Sequence, residues 1–372
     1  MKLDKLLSIL LGFVLLAGFT SCSEDKSVFG DEFEIPELTD KNTIQFTVDL
    51  TSGTWKQLEI FASGGRVVVD WGDGRVQKVE DPGSLSGGIR YRYGNSKTYR
   101  VRIWAEELSF LNISGLLLTL RDLQMGYFPN MSDLSINSIV GTKALDLSSS
   151  CPNVKTINVG NNADLEQIDI SRCSKLESIQ LYTHPKLTSL KLGAHPKLIG
   201  LYCTGTSLRT LSFKGLPEMR EIDCSNNPNL STIEVDDGQQ IGALLCYSCA
   251  FKNMDWLDHI TGLSELACHG NQLTELDLSA HPYLAYLNCS NNQLTRLSIP
   301  TSKSTRQLAC HSNRLDANSL NELFENLPDM SSFVTPTLQF RISYYDNPGE
   351  KDCDADIAVQ RGWTITESKP AN

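Results

Sequence analysis

Apolar residues recur about every eleven positions through the second half of the chain. Leu134, Leu145, Ile157, Ile168, Ile179, Leu190, Leu201, Leu211, Ile222, Ile233 and Leu244 open the series; Leu266, Leu276, Leu287, Leu297 and Leu308 close it. Around each of them apolar and polar residues alternate over a few positions, the pattern of a short strand buried on one face. Two such half-periods make one repeat. One half carries a triplet followed by Asn, as in Leu287-Asn288-Cys289 before Asn292. The other reads Leu276-Asp277-Leu278-Ser279. A fixed repeat in this size range predicts a solenoid, in which each unit buries its apolar edge against the next. The connecting segments are too short for ten-residue helices. The pattern therefore predicts parallel strands on one side and extended segments on the other.

Cysteine marks the same period. Cys203, Cys224, Cys246, Cys268, Cys289 and Cys310 follow one another at intervals of 21 or 22 residues. Aligned on them, Leu263-x-x-Leu266-x-Cys268-x-x-Asn271-x-Leu273 and Leu284-x-x-Leu287-x-Cys289-x-x-Asn292-x-Leu294 are two copies of one unit. This unit resembles the leucine-rich repeat, L-x-x-L-x-L-x-x-N/C-x-L, with Cys in the middle Leu position. The resemblance implies a mainly β, right-handed solenoid of about 21–22-residue repeats over residues 114–315, with its strands on a concave face. The Asn amide is suited to backbone groups at the bend after each strand, which are costly to bury unpaired. Cys249, His184 and Thr206 take the Asn position in three copies. Leu120-x-x-Leu123-x-Met125 already follows the repeat pattern.

Residues 316–372 read as a final repeat and a small α/β cap. Asp316 to Leu327 has helical spacing and stops at Pro328, and Ile342 to Gly349 reads as one more repeat strand. Asp354 to Arg361 reads as a short helix and Trp363 to Ile365 as a closing strand. A cap shields the last apolar edge, which would otherwise invite aggregation.

The front of the chain is different. In residues 1–21, Lys2 and Lys5 precede an apolar run from Leu6 to Ala17, and Thr20-Ser21-Cys22 follows. This resembles a bacterial lipoprotein signal, which implies cleavage and lipidation at Cys22; the run is short for a membrane span. Ser23-Glu24-Asp25-Lys26 resembles the export signal of Bacteroidota lipoproteins. It implies a lipid-anchored protein of the outer membrane, exposed at the cell surface. Residues 22–41 then read as a flexible, lipidated tether. Residues 42–113 contain strand patterns at Thr43–Val48, Val67–Trp71, Tyr91–Tyr93 and Thr98–Ile103 around Asp70-Trp71-Gly72-Asp73-Gly74, an Asp-Gly turn signal. The order W-G-D-G, Y-x-Y, Y-x-V-x-I resembles the PKD-like β-sandwich, a family of spacer and contact modules. Arg90 stands near the position where that family often has His.

The 372 residues carry a formal charge of -11, which argues against a nucleic-acid partner, because that needs dense Lys and Arg. Outside the leader there is no long apolar segment, so a membrane would hold the chain only by its lipid. Cys246-x-x-Cys249 has no second pair to complete a zinc site, and both cysteines fall on inward repeat positions. No metal and no cofactor is expected. The ladder cysteines would lie about one strand spacing apart, roughly 4.8 Å, so distance alone does not exclude disulfides. Their common direction favours thiols. Cys151 and Cys173 fall in the turn on the convex side. Five of the six histidines sit at repeat-set positions, no nucleophile elbow or H-E-x-x-H occurs, and no enzyme is expected.

That leaves binding. The residues before, between and after the inward Leu and Cys of each strand face outward; they include Ser225, Ser290, Ala267 and Leu245. The candidate binding face is formed by Tyr182, Tyr202, Asp223, Tyr247, Glu265, His269, Tyr286 and His311. Tyrosine is a favoured interface anchor. A protein ligand is the first expectation, a glycan taken up for nutrition the alternative, and a structural envelope spacer a third.

Overall fold

The computed structural model describes residues 39, 41–50, 57–79, 88–114, 119–333 and 340–366. The leader, Cys22 and most of the tether lie outside them. The chain forms two compact units, residues 1–142 with 149–152, and residues 143–148 with 153–372.

The first unit is a two-sheet sandwich. One sheet has the order Ile139–Val140, Thr119–Met125, Thr43–Asp49, Thr98–Ala105, Val67–Asp70, Val76–Val79; in the other, Asp133–Asn137, Phe110–Ser114, Gln57–Ser63 and Ile89–Arg92 follow one another. Thr43–Asp49 and Gln57–Ser63 bury every second residue, as strands with one face on a core must. The four strands expected around the W-G-D-G turn are present. Trp71, on that turn, stacks on Tyr91 of the other sheet at 4.4 Å, and the Tyr93 hydroxyl donates to the Trp71 carbonyl at 3.1 Å. Asp70 caps the turn by accepting the Gly72 amide at 2.8 Å. The unit runs past residue 113. The stretch Leu120 to Met125, which has the repeat pattern in sequence, pairs antiparallel with Thr43–Asp49 and is a sandwich strand. Its apolar spacing serves either partner equally, so the pattern alone could not assign it.

The second unit is the solenoid. Its main sheet runs Thr156–Gly160, Ser178–His184, Gly200–Thr206, Glu221–Asp223, Ala243–Leu245, Glu265–Ala267, Tyr286–Asn288, Gln307–Ala309, Arg341–Ser343 and Thr364–Ile365, every pair parallel and in register. On the other side lie shorter parallel pairs, among them Thr210–Ser212 with Thr232–Glu234 and Glu275–Asp277 with Arg296–Ser298. One repeat inserts a 3-10 turn, Asp255–His259. The six ladder cysteines are fully buried and free. Burial pushes the Cys268 and Cys310 thiols up to about 12, so the column is uncharged packing.

The Asn column satisfies the bend. Asn271 Nδ2 donates to the carbonyls of Cys246 and Cys268 at 2.9 and 3.0 Å, while its Oδ1 accepts the Phe251 amide at 3.0 Å. Asn292 and Asn313 repeat the arrangement one and two turns on. The substitutes keep part of it. The Cys249 thiol donates to the Cys224 carbonyl, and the His184 Nε2 lies 2.9 Å from the Val159 carbonyl. Just before this column runs another that the sequence pattern does not announce. Asn161, Thr183, Gly205, Asn226, Ser248, Gly270, Asn291, Ser312 and Asp346 all have φ between 53° and 67°. Every main-sheet strand but the last, Thr364–Ile365, ends by one left-handed residue, which turns the chain so that the next side chain enters the core.

The cap follows the expected order. Ala317–Asn326 is a helix whose N-cap Asp316 accepts the Ser319 amide at 2.8 Å. Asp356–Gln360 is a short helix, and Thr364–Ile365 closes the main sheet. Trp363 is buried and its Nε1 donates to the Pro328 carbonyl.

Candidate binding face

Inward positions of the main strands are taken by packing residues, such as Ile222 with Cys224 and Leu287 with Cys289, all buried. The other face is laid out in three columns two residues apart along each strand, and successive members of a column stand one strand spacing apart. Before the inward Leu or Ile stand Ser178, Gly200, Glu221, Ala243, Glu265, Tyr286 and Gln307. Between the inward residues stand Gln180, Tyr202, Asp223, Leu245, Ala267, Asn288 and Ala309. After them come Tyr182, Thr204, Ser225, Tyr247, His269, Ser290 and His311. The register places Tyr202 beside Gln180 and Asp223, and Glu265 beside Tyr286.

Three ring sites stand on this face. Tyr247 stacks on His269 with centroids 4.5 Å apart and planes 10° off parallel. The stack half-buries both, and burial holds His269 below the ordinary imidazole value. His311 stacks on Tyr345 at 4.2 Å. Tyr345 was not among the sequence candidates; it follows Tyr344 as His311 follows Cys310, so the column register is the signal that locates it. Tyr202 is held differently. Its ring leans across Gly200, where an added Cβ would come within 2.9 Å of Cε2. Its hydroxyl donates to the Glu221 carboxylate on the next strand. That acceptor, together with partial burial, pushes the phenol up to about 12. The absent side chain at Gly200 is therefore what lets the ring lie along the sheet.

The rings do not form one strip. Thr204 and Ser225 separate Tyr182 from Tyr247 in their column. Ser225 and Ser290, expected to face outward, are buried at 0% and 2% exposure. The reason is local: each serine hydroxyl turns back onto the residue two before it, Ser225 onto Asp223 Oδ1 at 2.6 Å and Ser290 onto Asn288 Oδ1 at 2.7 Å. Their column neighbours are larger, Tyr247 beside Ser225 and the two histidines His269 and His311 beside Ser290. Tyr286 is the most open ring of the candidate set, 47% exposed, and Tyr283 in the preceding turn is 65% exposed.

The remaining histidines fit packing roles. His195 accepts the Gly193 amide at Nε2 and faces the Cys173 carbonyl with Nδ1, and it is buried, as are His184 and His281. The exposed His259 places Nδ1 2.6 Å from the Asp237 carboxylate. Among the described residues no group of three or more His, Cys, Asp or Glu is placed to hold a metal ion, and no helix is long and apolar enough to cross a membrane.

No family model matches the chain, and no curated protein does. Among solved structures, the functional domain of InlJ from Listeria monocytogenes, which includes a cysteine ladder, is similar at 19% identity with a TM-score of 0.45, over 62% of this chain and 52% of that one. The internalin InlF from the same organism is similar at 15% identity with a TM-score of 0.39, over 70% and 87% of the two chains. YopM from Yersinia enterocolitica is similar at 16% identity with a TM-score of 0.18, over 59% and 75%. The chain spans about half the length of the InlJ domain.

Proposed function

We propose that the chain is a non-catalytic binding protein that holds a protein partner on the exposed face of its main sheet. The observation that carries this is the division of labour along each strand. Inward positions repeat from turn to turn, whereas the outward ones vary and place rings in fixed orientations: Tyr202 over Gly200, Tyr247 on His269, His311 on Tyr345. Rings ordered before binding lose little entropy when they are covered, which makes them efficient anchors. A solenoid offers such a surface over many repeats.

The same reading places the protein at the cell surface. The leader with Lys2, Lys5 and the Leu6–Ala17 run supports export, and Cys22 supports a lipid anchor in an outer membrane of the Bacteroidota type. The sandwich, with its PKD-like W-G-D-G turn, then acts as a spacer. A second reading, glycan capture, is favoured by Tyr283 and Tyr286, two open rings three residues apart. A binding screen of the full chain against protein and glycan arrays separates the two. A protein ligand lost on Tyr202→Ala plus Tyr247→Ala is the expected result. A glycan ligand lost on Tyr283→Ala plus Tyr286→Ala, with no protein ligand, would replace it with the second reading.

A further inference from the structure

The charge on the main-sheet face is one-sided. From Thr156 to Ala309 its three outward columns contain Glu221, Asp223 and Glu265 and not one Lys or Arg. Five carboxylates elsewhere in the solenoid have a Lys or Arg partner: Asp164 with Lys186, Glu166 with Lys143, Asp169 with Lys191, Glu234 with Lys214, Glu218 with Arg220. Glu221, Asp223 and Glu265 have no Lys, Arg or His within ion-pair distance among the described residues. Arg220, next to Glu221 in sequence, donates instead to the carbonyls of Pro217, Met219 and Gln240. Two of the three unpaired carboxylates lie on the strand next to Tyr202, on one side of it. Glu221 accepts its hydroxyl and Asp223 is its register partner on the next strand. Among the described residues no other ring stacks on Tyr202.

We propose that this face docks an arginine-bearing segment of a partner protein, with a guanidinium seated at Tyr202 between Glu221 and Asp223. This rests on the sheet-face reading above and adds the partner's chemistry to it. A guanidinium is planar, stacks on an aromatic ring and gives a carboxylate two parallel hydrogen bonds; an ammonium is a point charge that does neither as well. The two carboxylates, which among the described residues accept hydrogen bonds only from the Tyr202 hydroxyl and from Ser225, supply the counter-charge, and the missing cations remove any repulsion. Beyond this site the middle column continues with the small or apolar side chains Leu245 and Ala267, and Glu265 stands in the adjacent column on the strand of Ala267, so an extended segment can continue across the strands toward it.

The test uses the full chain in calorimetry with synthetic hexa-arginine and hexa-lysine peptides. Hexa-arginine is expected to bind at least about fivefold tighter than hexa-lysine, and Tyr202→Ala and the pair Glu221→Gln plus Asp223→Asn are each expected to weaken it about tenfold, near 1.4 kcal/mol. A second pair on the short strands of the opposite side, Glu234→Gln plus Glu275→Gln, removes the same charge and is expected to change affinity less than about twofold. Equal losses in the two charge pairs would reduce the effect to net charge and overturn the proposal. So would an unchanged affinity in Tyr202→Ala, or no binding of hexa-arginine. The wider reading fails separately, when a captured protein ligand is indifferent to Tyr202→Ala plus Tyr247→Ala.

Discussion

Asn292 shows what a single side chain does here. It satisfies the Cys268 and Cys289 carbonyls and the Leu273 amide, all buried. Asn292→Ala strands those groups, and an unpaired buried polar group costs about 1–3 kcal/mol. Chemical unfolding should show a loss of about 3 kcal/mol, and a loss under about 1 kcal/mol would mean that the ladder is dispensable. Thr183 is the opposite case. It is β-branched yet holds φ at 62°, a conformation that such residues adopt only under constraint. Thr183→Asn should raise stability by about 1 kcal/mol in the same measurement. The Asn role was legible in the sequence because it recurs at a fixed offset from Cys. The left-handed column was not, since Asn, Ser, Thr, Gly and Asp share it and no one residue type marks it.

At the scale of the element, the strand triplet was the most readable feature, because burial on one face dictates its alternation. The same alternation conceals the partner of Leu120 to Met125: it reports a buried face and not the strand alongside. The cysteine column makes a further expectation. Its thiols are buried and held in the neutral form, so at pH 8 the native protein should leave them unreactive toward a thiol reagent. Unfolded without reductant, it should release them all as thiols. A predominantly oxidised count would contradict the ladder as described. The buried histidines of the turns add a pH dependence. Burial holds His184, His195 and His281 below the ordinary imidazole value. The unfolded chain therefore binds more protons once the pH falls below about 6.5. Their contribution is complete above that value and is lost as the pH drops toward the folded values. The urea midpoint should fall between pH 7 and pH 5, and a midpoint that rises would refute the assignment.

For the whole molecule, the order of the described parts was visible from composition and period: a turn-rich β unit, a repeat array, a capped end. The contact boundary at residues 142–143 was not, because strands of the first unit carry the apolar spacing of the second. The anchoring claim belongs at this scale. Cys22→Ser should move the protein from the membrane fraction to the soluble one, and a variant that stays with the membrane would exclude lipidation as the anchor. Of the face itself, the sequence located the rings but not their supports. Gly200 beneath Tyr202, and Tyr345 behind His311, emerge only when the strands are set in register. The central claim is that binding resides on that face and not on the short strands opposite. The most direct measurement is the affinity of a captured protein ligand for three forms: the unaltered chain, Tyr202→Ala plus Tyr247→Ala, and Glu234→Gln plus Glu275→Gln. The account predicts loss of at least about tenfold, near 1.4 kcal/mol, in the first variant and none in the second; equal affinity in the unaltered chain and the tyrosine variant would contradict it.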